Sequence, residues 1–233
     1  MYIISLVKEM RIRYKKWARP ELEASKFYID NPEEYKGKWK KLFKNQEKPI
    51  YLELGCGKGQ FISNLASSNL DKNYIAIDLV DAMLGLAKRN VEQIYKEKHI
   101  ETNNILLTRF DIERILMILN EQDNIKRIYI NFCNPWPKGK HRKKRLTHTR
   151  QLEKYKQILS EDGEIYFKTD DDDLFNSSLG YFEESGFKII SKTFDLHNEP
   201  IFENNIETEH EKMFSEQGIK IKALIAKMGK VEK

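Results

Sequence analysis

Cysteine is scarce in this chain of 233 residues, and the two that occur, Cys56 and Cys133, lie far apart. Neither belongs to a Cys-x-x-Cys pair, so the sequence offers no disulfide framework and no zinc spacing. We expect reduced thiols and no bound metal. Cys133 could serve as a nucleophile, but a buried thiol at a strand end is the favoured interpretation.

Long apolar runs are also absent. The only apolar run near the start, Ile3 to Val7, is too short for a membrane span or a signal sequence, and no basic segment precedes it. We therefore expect no membrane partner and a cytoplasmic location. The net charge is only +5, so affinity for a polyanion has to be inferred from where the cations cluster.

Strand-like and helical segments alternate along the chain, which predicts an α/β fold with a mostly parallel sheet and helices on both faces. Seven strands are expected, at residues 50–54, 74–78, 104–110, 127–132, 164–169, 187–194 and 219–227. Helical spacing is clearest at residues 81–98 and 147–159. The residues up to Lys48 are polar and basic without a core-forming period, so residues 1–48 are predicted to form a basic arm ahead of a domain spanning residues 49–233.

A glycine-rich turn, Glu53-Leu54-Gly55-Cys56-Gly57-Lys58-Gly59, follows the first predicted strand. Open parallel sheets bind ligands beyond the carboxyl ends of their strands, and glycines let the backbone approach the ligand closely. The dinucleotide fingerprint requires a glycine where Gln60 stands. The spacing of Gly55 and Gly57 after Glu53 is instead typical of methyltransferases with the Rossmann-like class I fold that use S-adenosylmethionine.

Three acids at strand ends support this cofactor. Asp78 can accept hydrogen bonds from ribose hydroxyls, and Asp111 can accept one from an adenine amino group. Glu53 adds negative charge near the cationic methionine part. Each acid could alternatively cap the start of a helix. Their joint placement beside Gly55 and Gly57 favours S-adenosylmethionine binding.

A rigid loop with two prolines, NFCNPWPKGKHRKKRL from Asn131 to Leu146, follows the fourth predicted strand. It places Asn134 beside the expected cofactor, where a methyl acceptor should lie. A stiff turn with Trp136 packed on the core is the alternative. Six cations then fall within eight residues. At this end of the sheet they predict a phosphate-binding surface for RNA or DNA rather than only a solvated face.

The sequence blocks MRIRYKKWA, EYKGKW, ELGCGKGQFI, NFCNPWPKGKHRKKRL, FKTDD and TEHEKMFSEQG resemble those of the bacterial tRNA (guanine-N7)-methyltransferases, in the same order. The resemblance covers nearly the whole chain from Met10, and the residues before Met10 look like an extension. It implies methyl transfer from S-adenosylmethionine to N7 of guanine 46 in the variable loop of tRNA. We expect a monomer or a homodimer.

The resemblance also implies roles for individual residues. Glu53, Asp78 and Asp111 would bind the cofactor. The tRNA substrate would be contacted by Lys138, Asp170, Thr208, Glu209, His210 and Glu211, and RNA by Lys140, His141, Arg142, Lys143, Lys144 and Arg145. The family usually carries aspartate, often assigned as catalytic, where this chain has Asn134, which places a carboxylate role at that position in doubt.

Guanine N7 carries an exposed lone pair, so methylation requires no general base, and proximity, alignment and electrostatics can supply the catalysis. Asn134 can position the cofactor or the base through its amide, whereas an aspartate would also stabilise positive charge on guanine. The carboxylate of Asp170 or Glu211 could accept hydrogen bonds from N1–H and N2–H of a flipped guanine. Each residue has an alternative role at the start of a helix. Asp170 could belong to an acidic helix start at residues 170–173, and Glu211 could form a capping box with Thr208.

Three other functions remain open on the residues alone. The Asn134-Pro135-Trp136 sequence also resembles the loop of methyltransferases that act on exocyclic amines such as adenine N6. An RNA-binding protein could retain the fold without activity. A nicotinamide-dependent reductase is the least favoured.

Overall fold

A computed structural model describes residues 13–202 and 204–229, and in this part of the chain eight strands form one sheet. The strands are β1 (Tyr28–Ile29), β2 (Ile50–Leu54), β3 (Asn73–Asp78), β4 (Ile105–Arg109), β5 (Ile125–Asn131), β6 (Leu159–Thr169), β7 (Phe187–Thr193) and β8 (Lys222–Met228). The α-helices are α1 (Ala18–Glu23), α2 (Gln60–Ser68), α3 (Asp81–Glu97), α4 (Thr149–Lys156), α5 (Asp172–Glu184) and α6 (Glu209–Glu216).

The sheet has the order β1-β4-β3-β2-β5-β6-β8-β7. Strands β1 to β6 pair in parallel, whereas β8 runs antiparallel to both of its neighbours, β6 and β7. The order reverses beside β2, because β3 lies on one side of β2 and β5 on the other. A crevice at the carboxyl ends of β2 and β5 is therefore the expected ligand site of such a sheet.

Burial explains why the central strands read as apolar runs. Ile50, Leu52 and Leu54 of β2 are fully buried, and Ile75 to Ile77 of β3 are buried on both faces of the sheet. A parallel strand covered on both faces has no solvent side to alternate with. In the part of the chain that the structure describes, no helix is both long and apolar enough to cross a membrane.

All seven predicted strands are present, with ends shifted by up to five residues, and the mostly parallel α/β sheet is confirmed. The predicted number of strands is one too low. The eighth strand is β1, whose two residues pair with Leu107 and Thr108 of β4. Two residues are too short to show an alternating pattern in the sequence.

The described residues before Lys48 contribute side chains to the core, although the sequence predicted a basic arm there. Leu22 and Trp39 are fully buried, and Phe27 and Phe43 join the same core. The indole nitrogen of Trp39 donates a 2.8 Å hydrogen bond to the carbonyl of Ile118. Described residues from 17 to 43 therefore pack on the sheet. Residues 1–12, which belong to the predicted basic arm, lie outside the described residues.

Two short 3-10 helices carry much of this packing, at Pro32–Tyr35 and Trp39–Leu42. The buried carboxylate of Asp123 accepts hydrogen bonds from the backbone N–H groups of Gly37 and Trp39, at 2.9 and 3.2 Å. Such short turns have no helical period, which explains why the sequence pattern showed no sign of a core here. The division of the chain at residue 48 stays a prediction.

Trp39→Ala is expected to lower the free energy of unfolding by about 3–5 kcal/mol, because it empties a buried indole site and removes the donor to Ile118. Urea unfolding followed by circular dichroism in the far ultraviolet measures this change. Tyr14→Ala, at a residue that is 79% exposed in the same segment, serves as the matched control and should leave stability unchanged. Equal stability of the two variants would contradict the packed segment.

Candidate active site

The glycine turn after β2 is fastened to the end of β3. The N–H groups of Gly55 and Cys56 both donate to the carbonyl of Ile77, at 2.9 and 3.0 Å. Gly55, Gly57 and Gly59 have positive φ angles of 78°, 53° and 71°, a region that glycine adopts without strain. A Cβ at Gly59 would lie 2.6 Å from the Cβ of Ala87, so the turn also needs glycine for the close approach of α3.

Asp78 ends β3 and holds the turn from the side. One carboxylate oxygen accepts a hydrogen bond from the N–H of Gly57 and the other from that of Val80, both at 2.9 Å. Burial raises the pKa of Asp78, and the backbone donors oppose this effect. Each carboxylate oxygen can accept a second hydrogen bond. Asp78 therefore shapes the turn and retains acceptor positions for ribose hydroxyls.

Asp111 follows β4 and caps the 3-10 helix Ile112–Met117. One of its oxygens accepts a 2.9 Å hydrogen bond from the N–H of Glu113. The capping interpretation therefore holds for that oxygen. A surface cavity of about 510 Å³ lies beside Asp111, and its lining includes Leu79 and Phe110. Leu79 directly follows Asp78 and is 53% exposed, so this cavity has an apolar side chain as well as the carboxylate of Asp111.

Glu53 is buried at the carboxyl end of β2. One oxygen accepts a 3.0 Å hydrogen bond from the side-chain amide of Asn131, and the other has no partner among the described residues. Burial raises the pKa of Glu53 to about 7, against the smaller effects of Asn131 and Lys168. A buried carboxylate with one oxygen that lacks a hydrogen-bond partner fits a ligand that brings a positive charge.

Asn134 is exposed in the loop after β5, and its side-chain oxygen accepts a 2.9 Å hydrogen bond from the N–H of Trp136. The oxygen therefore closes a local turn, and the amide nitrogen remains as a possible donor. Trp136 has a positive φ of 43°. Its ring lies 5.0 Å from the ammonium of Lys144 and 5.6 Å from the ring of His141. The indole therefore packs on the basic stretch, residues 138–145, rather than in the core.

The basic stretch forms the short 3-10 helix Gly139–Lys144 at the carboxyl end of the sheet. His141 is half-buried, and the exposed members of the stretch are Lys138, Lys140, Arg142, Lys143 and Lys144. Arg145 is different, because it is only 2% exposed and its Nε donates a 2.7 Å hydrogen bond to the carbonyl of Pro135. Arg145 thus holds the proline loop in place, and its burial sets it apart from the exposed cations of this loop. Its contact with RNA stays a prediction.

The acidic run after β6 divides between two tasks. Asp171 caps α5 by accepting a 2.6 Å hydrogen bond from the N–H of Leu174, as the helix-start interpretation predicts. Asp170 is partly buried, and within the described residues its carboxylate receives no hydrogen bond from another residue. Burial raises the pKa of Asp170, while Lys222 and His210 lower it. Asp170 is therefore the partly buried member of the run whose carboxylate is left for a ligand.

The Thr208–Glu211 segment starts α6 and forms the capping box that the sequence suggested. The Thr208 hydroxyl accepts a 2.9 Å hydrogen bond from the N–H of Glu211, whose carboxylate reaches back to the N–H of Thr208. Both side chains are buried. Glu209 and His210 are exposed, and Glu209 forms a 3.0 Å ion pair with Lys58 of the glycine turn. α6 therefore begins close to the glycine turn.

Lys168 is a buried residue that the sequence interpretation missed. Its ammonium is 2.6 Å from the Glu211 carboxylate and donates further hydrogen bonds to Asn205 and to the carbonyl of Ile206, both at 3.1 Å. Burial lowers the pKa of Lys168, and Glu211 opposes this effect. The available signal was a lysine inside a predicted strand, directly after the apolar and aromatic residues Ile165 to Phe167.

Asn131 is the first residue of the proline loop, and the sequence pattern indicates no role for its side chain. It stands opposite Lys168 in the β5–β6 register and donates to Glu53. The two residues therefore connect the carboxylate at the end of β2 with the segment that begins α6.

Comparisons with known proteins agree with this geometry. Residues 47–224 match a family model described as "Putative methyltransferase". The chain is 64% identical over 217 residues to a protein of Clostridium beijerinckii named tRNA (guanine-N(7)-)-methyltransferase, covering 93% of this chain and 98% of that one. Proteins with the same name from Clostridium perfringens and Acetivibrio thermocellus are 59% and 55% identical, over 94% and 93% of this chain and 99% of each relative.

Solved structures with low sequence identity share the fold. A crystal structure of the 16S rRNA methyltransferase KamB superposes with a TM-score of 0.60 at 14% identity, covering 82% of this chain and 93% of that one. An antibiotic-related methyltransferase gives a TM-score of 0.56 at 18% identity, over 78% and 88% of the two chains. These likenesses confirm the class I methyltransferase fold.

Glu53→Gln is expected to change how stability depends on pH. Because the folded pKa of about 7 lies above the ordinary 4.5, the folded state holds the proton more tightly than the unfolded chain does. The stability that Glu53 contributes is therefore present below about pH 4.5 and is lost as the pH rises through 7. Between about pH 4 and pH 8, the free energy of unfolding of Glu53→Gln should rise by on the order of 2–3 kcal/mol relative to that of the unchanged chain.

Urea unfolding of both proteins across this pH range measures the difference. Glu161→Gln, at an exposed position of β6, is the matched control and should show no such dependence. A difference in the free energy of unfolding between the two proteins that stays constant with pH would contradict a buried carboxylate with an oxygen that lacks a partner.

Proposed function

The chain belongs to the tRNA (guanine-N(7)-)-methyltransferase family, and from this membership we propose that it transfers the methyl group of S-adenosylmethionine to N7 of guanine 46 in the variable loop of tRNA. The observation that carries the proposal is the identity of 64% to a relative of that name over almost the whole of both chains. The structure adds a site whose open carboxylate, glycine turn and basic loop suit the donor and the RNA.

The donor half of the site is assigned to the carboxyl ends of β2, β3 and β4. S-adenosylmethionine supplies an electrophilic methyl group on a sulfonium, beside a positively charged amino group. The Glu53 oxygen that lacks a partner suits that amino group, and Asp78 suits the ribose through the acceptor positions that its backbone partners leave. Leu79 and Asp111 suit the two needs of adenine, an apolar contact and an acceptor for the amino group.

The acceptor half is assigned to the carboxyl ends of β5 and β6. Asp170 is the carboxylate best placed to accept N1–H and N2–H of guanine, because Glu211 is already engaged by Lys168 and Asn205. Thr208 and Glu211 contribute by positioning α6. Lys138 and Glu209 stay predictions as substrate contacts, and a monomer or a homodimer stays a prediction for the assembly.

Catalysis follows from positioning and charge. Attack by the N7 lone pair forms the N7–methyl bond as the sulfur–methyl bond breaks, and the positive charge passes from sulfur to guanine without loss of a proton. A nearby carboxylate such as Asp170 stabilises that charge. Asn134 carries no charge, so its part is to orient the donor or the base through its amide nitrogen.

The proposal is tested by incubating the purified protein with an unmodified tRNA transcript and methyl-labelled S-adenosylmethionine. Reduction followed by aniline cleaves RNA at 7-methylguanosine, and cleavage at guanine 46 alone is the expected result. Label transfer without cleavage would indicate methylation of an exocyclic amine. Binding of tRNA without any transfer would indicate a protein that retains the fold without the activity.

Asp170→Ala is expected to lower kcat/KM for tRNA about 10- to 100-fold, since it removes the acceptor for the guanine edge, while leaving cofactor affinity unchanged. Asp171→Ala is the matched control on the neighbouring residue. It removes the α5 cap and should cost about 1 kcal/mol of stability with little change in kcat/KM. Equal kinetic effects of the two variants would contradict the assignment of guanine reading to Asp170.

Replacement of Lys140 and Lys143 by glutamine should flatten the salt dependence of tRNA binding. Because each lysine that binds a phosphate adds close to one to the slope of log K against log salt concentration, we expect the slope to fall by about 1–2. Filter binding at several salt concentrations measures it. The control replaces Lys188 and Lys192, two exposed lysines of β7, and an equal change in that control would remove the basic stretch from the RNA interface.

A further inference from the structure

A row of side chains crosses the middle of the sheet away from its carboxyl edge. In register, Tyr74 of β3 lies beside Tyr51 of β2, and Tyr51 lies beside Arg127 of β5. Arg127 in turn lies beside Glu164 of β6. The central strands of a parallel sheet are usually apolar on both faces. This row instead places a guanidinium and its carboxylate partner inside the sheet, which indicates a role besides packing.

Three residues of this row, Tyr51, Tyr74 and Arg127, line a cavity of about 630 Å³. Phe61 of α2 and Phe202 line it as well, so aromatic rings face it from several elements. Its volume is within the range of small-molecule sites, about 300–1,000 Å³. Tyr51 stands three positions before the end of β2, which is about 10 Å at the rise of a strand. This end of the cavity therefore lies well below the glycine turn.

The guanidinium of Arg127 has donors to spare. Its Nε and Nη2 donate to one carboxylate oxygen of Glu164, at 3.1 and 2.7 Å, and its Nη1 donates to the Tyr129 hydroxyl at 3.2 Å. A guanidinium has five N–H groups, so two lack an acceptor within the described residues. Its Cζ atom is 4.0 Å from the ring centroid of Tyr166 and 5.1 Å from that of Tyr51. A planar cation between rings suits the anionic group of a flat ligand.

The hydroxyl of Tyr74 is a second unused donor at this cavity. It is buried and has no hydrogen-bond partner among the described residues. Burial raises the pKa of Tyr74, so the hydroxyl keeps its proton. A buried polar atom without a partner costs free energy, which an acceptor from a ligand would recover. Lys72, which pairs with Asp71, also lines the cavity, and its ammonium is 5.9 Å from the ring centroid of Tyr51.

We propose that this cavity binds a nucleoside monophosphate, whose base packs against the aromatic rings while its phosphate accepts hydrogen bonds from Arg127 and Tyr74. A nucleotide joins a flat base to an anionic group, and the cavity offers rings and unused donors for these two parts. S-adenosylmethionine is a poorer match, because it carries a sulfonium and an ammonium and has no phosphate. The nucleotide is either free in solution or a unit of single-stranded RNA, since both present the same chemistry.

Calorimetric titration of the purified chain with AMP tests the site, with S-adenosylmethionine present at saturating concentration so that the donor site is filled. AMP is expected to bind, and adenosine and inorganic phosphate are each expected to bind about 10- to 100-fold more weakly, as the loss of stacking or of a charged hydrogen bond predicts. If S-adenosylmethionine abolishes the binding of AMP, AMP occupies the donor site alone and the proposal is wrong. Equal affinities for AMP and adenosine would also overturn it.

Tyr74→Phe removes the unpartnered hydroxyl and keeps the ring. It should weaken AMP binding about 3- to 10-fold without lowering the melting temperature. Tyr95→Phe is the matched control, because the Tyr95 hydroxyl is buried outside the cavity lining and donates a 2.7 Å hydrogen bond to Asn104. It should lower the melting temperature and leave the affinity for AMP unchanged. An unchanged affinity for AMP in Tyr74→Phe, or an equal loss in both variants, would contradict the assigned donor.

Arg127→Gln should bring the affinities for AMP and adenosine close together, whereas Lys126→Gln, on the neighbouring residue, should keep them apart. Preference for AMP that survives in Arg127→Gln would place the phosphate elsewhere and overturn the proposal. Competition with tRNA identifies the source of the nucleotide. Displacement of bound tRNA by AMP supports a nucleotide of the RNA chain, and binding of AMP beside tRNA supports a free nucleotide.

Discussion

The parallel pairing of β5 with β2 on one side and with β6 on the other is the constraint on which the site depends. Because parallel strands end at one edge of the sheet, this pairing brings Glu53, Asn131 and Lys168 together although they are far apart in the sequence. Asn131 donates to Glu53 in the donor half, and Lys168 binds Glu211 in the acceptor half. The two halves of the proposed methyl-transfer site are therefore adjacent as a consequence of strand order.

Three buried ionisable groups lie at this edge of the sheet, two carboxyl groups and one ammonium. The carboxyl groups belong to Glu53 and Glu211, and the ammonium of Lys168 pairs with Glu211. A buried ion pair adds little net stability, because desolvation offsets much of the Coulomb attraction. Its contribution here is orientation, since Lys168 fixes Asn205, Ile206 and Glu211 together. Burial raises the pKa of Glu53 to about 7, and a cationic ligand such as S-adenosylmethionine would favour its ionised form.

The sequence predicted those features that depend on local pattern. The glycine turn, the acids at the ends of β3 and β4 and the seven principal strands each have a short signature, and each is present in the structure. What the pattern could not predict depends on partners distant in the chain. Trp39 pairs with Ile118, Lys168 with Glu211, and Arg145 is buried by a contact that the proline loop makes only once it is folded.

Several site residues prove to have a structural task beside the proposed functional one. Asp78 holds the glycine turn, Asp111 and Thr208 cap helices, and the oxygen of Asn134 closes its own loop. The two tasks are compatible, because a carboxylate or amide retains further hydrogen-bonding positions. In Asn134 the retained group is a donor, which suits the proposed orientation of a ligand.

The most direct test of the central claim replaces the target guanine of the tRNA by 7-deazaguanine, in which a C–H group stands in place of N7. The Watson–Crick edge and the ring face are unchanged, so the account predicts the same affinity as for the natural tRNA and no methyl transfer at that nucleotide. Methylation of the 7-deazaguanine nucleotide at an undiminished rate would show that another atom accepts the methyl group and would contradict the account.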